Sequence, residues 1–202
     1  MRQWLREGPS PRAVEGVYRD PLELIWLGAL ERLGWRLVRS DQVFASWDGR
    51  DTLTLSSAEH MDADDSLAQL IFHELCHALI EGPEAWRSPD WGLENQDHRH
   101  LPNELACHRL QATLASRYGL RELLAVTTDW RPHYDALPHD PMAPCELAGE
   151  LDAEAITLAQ QGLRRAQEEP WRAALHEALT RTQRLKELCQ GWAPSGSLWA
   201  AT

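Results

Sequence analysis

Two histidines four residues apart, with a glutamate directly after the first, stand in the stretch HELCH at residues 73–77. Side chains at positions i and i+4 of a helix lie on the same face, so both imidazoles can offer a nitrogen to one metal ion. The HExxH pattern binds zinc in this way, and its glutamate takes a proton from a metal-bound water whose pKa the metal lowers. We therefore predict that His73 and His77 bind Zn2+ and that Glu74 is the general base.

A catalytic zinc site commonly has three protein ligands and one position for water. Glu104 is the preferred third ligand, because it begins an amphipathic helix that can pack against the motif helix. His98 and His100, in the loop between the two helices, are the alternatives and would make a three-histidine site. His108 follows Glu104 by one helical turn. We predict a catalytic part for it, either as a partner of the Glu104 carboxylate or as a donor to the substrate oxyanion.

Other residues give lesser signals. Three side chains are further candidate oxyanion donors: Tyr118, His133 and Tyr134. The segment DTLTLSS, residues 51–57, is a candidate edge strand that could pair with an extended peptide. Trp86 and Trp91 follow the motif helix, and they either line a cleft or pack the loop against the core.

The stretch HELCHALIEG, followed 27 residues after its second histidine by the glutamate of NELACHRLQATLA, resembles the ImmA/IrrE-type metallopeptidases. That family is a minimal gluzincin. The resemblance implies that His73, His77 and Glu104 are zinc ligands and that Glu74 is the general base. It also implies hydrolysis of a peptide bond in a protein or peptide substrate.

The resemblance covers roughly residues 50–118 and does not extend to residues 126–202. Cys107 and His108 stand where the family usually has small and polar residues. It therefore supports a zincin fold and a peptidase activity more than any particular substrate.

Hydrophobic periodicity predicts an α+β fold that is mostly helical, with a small antiparallel sheet preceding the HExxH helix. This order of strands, motif helix and ligand helix is typical of zincins. Helical spacing covers residues 20–35, 62–82, 102–119, 145–168 and 170–190, with a short helix expected at 120–125. Alternation with a period of two covers residues 35–40, 42–49 and 51–57. The first helix should be capped by Asp20, and the HExxH helix by one of three aspartates: Asp62, Asp64 or Asp65.

The chain of 202 residues is long enough for one domain with a substantial core. We expect a single zincin-like domain with a loosely ordered arm (1–20), a catalytic core (21–125) and a C-terminal helical extension (126–192). The sequence shows no secretory signal and no membrane-spanning run, and its four scattered cysteines are interpreted as free thiols, which together predict a cytoplasmic protein. The net charge of −11 argues against a nucleic-acid partner.

The predicted function is that of a zinc-dependent metallopeptidase. The alternative is a non-catalytic metal-binding protein with a regulatory or interaction role, which a fourth ligand from His108 or Cys107 would favour. A metal-free helical scaffold is a third interpretation. It is disfavoured because two histidines and a glutamate buried together without a metal are hard to pair.

Overall fold

The computed structural model describes residues 15–92, 100–147 and 149–200. Within these ranges the chain forms six α-helices: α1 (Pro21–Arg32), α2 (Leu67–Glu81), α3 (Leu101–Ser116), α4 (Arg131–Ala136), α5 (Asp152–Arg165) and α6 (Trp171–Gln190). Three strands, β1 (Arg36–Ser40), β2 (Ala45–Trp47) and β3 (Thr52–Ser56), lie between α1 and α2. The chain is thus α+β and mostly helical, as predicted. Of the predicted arm, only residues 15–20 are described, and they have no regular secondary structure.

The sheet is mixed, so the predicted antiparallel arrangement is wrong. Its strand order is β1-β3-β2, with β1 parallel and β2 antiparallel to β3. Leu53 and Leu55 of β3 are fully buried, whereas two of the five residues of β1 are exposed. Alternation with a period of two indicates a strand but not its neighbours. Because β3 has a partner on each side, it cannot be the edge strand expected to pair with a peptide.

The HExxH helix α2 begins later than predicted, because its cap is a serine. The Ser66 hydroxyl accepts the N–H of Gln69 at 3.3 Å and donates to the Oε1 atom of the same residue at 2.7 Å. The three aspartates predicted as caps all precede Ser66. A serine followed three residues later by a glutamine is a capping-box pattern, and it was present in the sequence.

Helix α2 lies in the centre of the protein. Every residue of it except His73 and Glu81 is buried. Helix α3 packs beside α2, and α5 packs against both. At this crossing a Cβ on Gly162 would lie 2.8 Å from the side chains of Ile80 and Leu110, so a larger residue would have to displace these two buried side chains. The relative position of α2 and α3 is therefore held from behind by α5.

The C-terminal helices share their core with the rest of the chain. One cluster of buried hydrophobic residues includes members of α1, α2, α3, α5 and α6. Arg165 of α5 donates to the carbonyls of Leu79 and Ile80 at the end of α2. Arg109 of α3 forms a buried ion pair with Asp152 at the start of α5. The segment predicted as an extension thus holds both site-bearing helices in place.

Two shorter segments differ from the prediction. Residues 121–124 form turns in place of the expected short helix, and α4 lies within the stretch expected to be irregular. Over the described ranges, no helix combines the length and the apolar character needed to cross a membrane.

Candidate metal centre

Three side chains converge where α2 faces the first turn of α3. The Nε2 atoms of His73 and His77 are 3.1 Å apart. The Glu104 carboxylate completes the triangle, with Oε1 3.3 Å from His73 Nε2 and Oε2 3.2 Å from His77 Nε2. In a zinc tetrahedron with bonds of about 2.0–2.1 Å, neighbouring ligand atoms are about 3.3 Å apart. The three groups therefore have the spacing of one face of such a tetrahedron.

The local sequence explains the positions of the two histidines on α2 and of the glutamate on α3. His73 and His77 are separated by one turn of α2, so their rings share a face. Pro102 occupies the first turn of α3, where its missing N–H is tolerated, and Glu104 follows it at an end where the helix dipole favours a negative charge. The side chains of His73 and Glu104 are each 19% exposed, so the triangle is accessible from solvent.

The charges at the triangle are strongly coupled. Burial alone would raise the pKa of Glu104, but the charges of His73 and His77 and a hydrogen bond from His108 hold it well below its usual value. Burial alone would lower the pKa of His77, but the adjacent Glu104 raises it to about 9. Without a metal, an imidazolium at His77 therefore balances the ionised carboxylate. A bound cation would replace that proton, because a ligand histidine must be neutral.

His73 is oriented by a buried amide. Its Nδ1 lies 3.1 Å from Oε1 of Gln111, and Nε2 of Gln111 donates to the carbonyl of Leu124 at 2.9 Å. An amide oxygen can only accept, so Nδ1 of His73 carries the proton. Nε2 is thus the nitrogen that faces the triangle, and a neutral His73 with its proton on Nδ1 is the tautomer that a metal ligand needs.

His77 is supported in a similar way by Cys107. The Sγ atom of Cys107 lies 3.3 Å from Nδ1 of His77, on the side of the ring away from the triangle. Burial raises the pKa of the Cys107 thiol well above its usual value, so the sulfur is not a thiolate. Cys107 thus contacts a ligand candidate from behind and does not join the triangle.

His108 lies behind Glu104 and is fully buried. Its Nε2 is 2.9 Å from Glu104 Oε1, and its Nδ1 is 2.8 Å from Nδ1 of His133. Burial lowers the pKa of His108 to about 4, so the ring is neutral and has one N–H. That proton must be on Nε2, facing the carboxylate, and His133 must then donate to Nδ1. Since both nitrogens are engaged, the contacts of His108 fit the predicted partner of Glu104 and leave no donor for an oxyanion.

Glu74 lies beside the triangle and is 8% exposed. Its Oε2 accepts the indole N–H of Trp91 at 3.2 Å. Trp91 is buried and stacks on Trp47, and the indole of Trp86 donates to the carbonyl of Ala78 at 2.7 Å. Trp86 and Trp91 therefore pack against the core, which is the second of the two arrangements considered for them.

The other sequence candidates lie outside the triangle. His100 immediately precedes α3 and does not belong to the possible metal-binding group found among the described residues. His98 is outside the described residues. The Tyr118 hydroxyl pairs with a histidine of α6 at 2.8 Å, and Tyr134 is buried with its hydroxyl donating to a backbone carbonyl at 3.0 Å. Neither tyrosine hydroxyl contacts the three ligand candidates.

Three residues around the centre were not assigned their positions from sequence: Gln111, His133 and Trp91. Gln111 had a usable signal, because Glu104, His108 and Gln111 stand at i, i+4 and i+7 and so form a polar row on one face of α3. His133 and Trp91 had none, since each meets its partner across many residues of chain.

Comparisons of the chain with protein-family models, with curated proteins and with solved structures found no match. What the centre can do therefore follows from its own atoms. Two imidazole nitrogens and one carboxylate could hold one zinc ion, and a second carboxylate lies beside them on α2. The donor set and its spacing fit that metal.

Proposed function

We propose that the protein is a zinc-dependent metallopeptidase in which His73, His77 and Glu104 bind the metal and Glu74 is the general base. The observation that carries the proposal is the triangle, whose ligand atoms are 3.1, 3.2 and 3.3 Å apart. Zinc held there supplies a Lewis acid that lowers the pKa of a water molecule and polarises a carbonyl. The HExxH order and the resemblance to the ImmA/IrrE-type peptidases support a peptide bond as the target.

Each side chain then has a defined task. The two imidazoles present Nε2 to the metal, because Gln111 and Cys107 occupy the opposite nitrogens. Glu74 takes a proton, at a carboxylate oxygen, from the water that attacks the peptide carbonyl carbon. It delivers that proton to the leaving amine nitrogen. The partial exposure of the triangle leaves an approach for the substrate.

The alternative is that the same residues bind a metal ion but the protein catalyses no reaction. It would be favoured by a fourth protein ligand that closes the site. Among the described residues the possible ligand group has three members. His108 faces Glu104 and His133, and Cys107 faces the far side of a ligand ring. These orientations favour an open fourth position and hence the enzyme.

Metal content tests the site. Protein purified without added metal and without a His-tag should contain about one zinc per chain by mass spectrometry. Glu104→Ala should lose the metal, whereas the matched variant His100→Ala should keep it. Wild-type protein that takes up no zinc, even after incubation with a zinc salt, would refute the proposed site. If only His100→Ala loses zinc, the third ligand is His100 and not Glu104.

Hydrolysis is tested with a library of quenched fluorescent peptides. Glu74→Gln keeps the size of the side chain but cannot accept the proton, so cleavage should fall about 10²–10⁴-fold while zinc is retained. Equal cleavage by the wild type and Glu74→Gln would exclude Glu74 as the base. A zinc-loaded wild type that cleaves no peptide of the library would contradict the enzyme and favour the non-catalytic metal protein.

A further inference from the structure

The turn that follows α2 has an unusual backbone. Asp90, Trp91 and Gly92 have consecutive positive φ angles of 48°, 59° and 76°. Glycine adopts this region freely, but Asp90 and Trp91 do so at a cost in free energy. A bulky residue such as tryptophan stays there only where its surroundings hold it. The turn Asp90–Gly92 is therefore stabilised by something outside itself.

The β2–β3 hairpin provides that support. The Asp90 carboxylate accepts the backbone N–H of Trp47 at 2.9 Å, and the indole of Trp47 donates to the carbonyl of Trp86 at 2.8 Å. The rings of Trp47 and Trp91 stack with centroids 4.7 Å apart and planes 8° apart. Gly49 in the hairpin turn allows close approach, since a Cβ there would lie 3.0 Å from the backbone of residues 87–89. Both the backbone and the ring of Trp91 are thus held by the hairpin.

The result of this arrangement is one directed hydrogen bond. Trp91 is only 4% exposed, and its indole N–H donates to Oε2 of Glu74 at 3.2 Å. We propose that Trp91 is a positioning residue for Glu74: its N–H fixes one carboxylate oxygen and leaves the other free to take the proton from water. This inference rests on the proposed function, because it assigns a partner to the general base of that site.

If Trp91 served only for packing, its indole N–H would not be needed. Stacking on Trp47 and filling the core would be met by any flat apolar ring, including phenylalanine. The N–H is needed only if the carboxylate must be held, because a buried carboxylate is both stabilised and oriented by a donor. Trp91→Phe therefore separates packing from positioning.

The contact itself can be tested without activity. In ¹H–¹⁵N spectra of the metal-free protein, the Trp91 indole signal is assigned by its loss in Trp91→Phe. In Glu74→Ala that signal should move towards the position of an unbonded indole, and its N–H should exchange faster with water. An unchanged signal in Glu74→Ala would overturn the inference whether or not the protein cleaves peptides.

Kinetics test the consequence. Trp91→Phe should keep about one zinc per chain and the wild-type KM, while kcat falls about 10–100-fold, the range typical of residues that orient site groups. In the Glu74→Gln background the same change should cause no further loss. Trp26→Phe is the matched control, because it removes another buried indole hydrogen bond, to Thr182, away from the site. A kcat for zinc-loaded Trp91→Phe equal to that of Trp26→Phe would overturn the inference.

A second variant covers the case in which Trp91→Phe does not fold. Benzothienylalanine introduced at position 91 keeps the bicyclic ring and replaces the N–H with sulfur, so it should show the same loss of kcat. Full activity of this variant would overturn the inference. If the wild type cleaves nothing but the indole signal still responds to Glu74→Ala, the proposed function has failed and the positioning claim falls with it. The contact between Trp91 and Glu74 would then stand as a structural one.

Discussion

Zinc should bind more tightly as the pH rises, because the metal must displace a proton from His77. Burial alone would lower the pKa of this histidine, but Glu104 raises it to about 9. Below that pH the affinity should rise about tenfold per pH unit, equivalent to about 1.4 kcal/mol. Glu104 contributes no further proton, because its own pKa lies well below the usual value. Zinc should thus bind about tenfold more tightly at about pH 8 than at about pH 7.

Two measurements check this. Competition with a chromophoric chelator gives the affinity at each pH, and calorimetry in buffers of different ionisation enthalpy should count about one proton more per zinc for the wild type than for Glu104→Gln, which is the proton that leaves His77. Glu104→Gln is the matched control: it binds zinc more weakly, but without the carboxylate charge its affinity should change much less over the same interval. A wild-type affinity that is flat between the two pH values, or binding without proton release, would refute the reasoning.

The same proton should stabilise the metal-free fold. Because the pKa of His77 is raised from 6.5 to about 9, the stabilisation is full below pH 6.5 and is lost as the pH rises through about 9. A shift of this size corresponds to about 3 kcal/mol. Denaturant unfolding of the metal-free protein at both ends of this interval measures the loss, which Glu104→Gln should largely abolish.

Three further predictions concern the partner of Glu104 and the contacts that join α5 to α2 and α3. His108→Ala removes the donor to Glu104, the proposed third ligand, so zinc affinity in the chelator titration should fall about 10–100-fold. An unchanged affinity would show that the carboxylate needs no such partner. Gly82→Ala places a Cβ 2.9 Å from the Arg165 guanidinium at a φ of 81°, so thermal unfolding should show a loss of about 1–3 kcal/mol. Arg109→Ala removes the cation beside the buried Asp152 and leaves it only the backbone N–H of Cys145, so denaturant unfolding should show a loss of about 3–5 kcal/mol. A loss no larger than that of an exposed ion pair would mean that water reaches Asp152.

The serine cap of α2 had a local signal in the sequence, but the aspartates before it were predicted as caps instead. Three aspartates before the helix are chemically suitable caps, and the sequence alone ranks them beside Ser66. The serine prevails because Gln69 lies three residues later and pairs with its hydroxyl. Such a pattern acts within one turn and could have been recognised from the sequence.

The strand order, by contrast, had no local signal in the sequence. The segments that became β1, β2 and β3 all carry the alternation of a strand, but the mixed pairing depends on which of them lies in the middle of the sheet, and that is β3, whose Leu53 and Leu55 face is fully buried. The burial of Leu53 and Leu55 depends on the helices that cover the sheet. Period-two spacing therefore predicted the strands but not that β3 lies between the other two.

The sequence by itself determined that His73 and His77 share a helix face with Glu74 beside them, because the pitch of a helix fixes side chains one turn apart. It also placed Glu104 and His108 together on a second helix for the same reason. Only the tertiary structure decided that these two faces meet, through the packing of α2 on α3 with α5 behind them. The same holds for the partners of each group, Trp91 for Glu74 and His133 for His108. Helical periodicity acts over a few residues, whereas contacts between distant segments depend on how all the buried surfaces fit together.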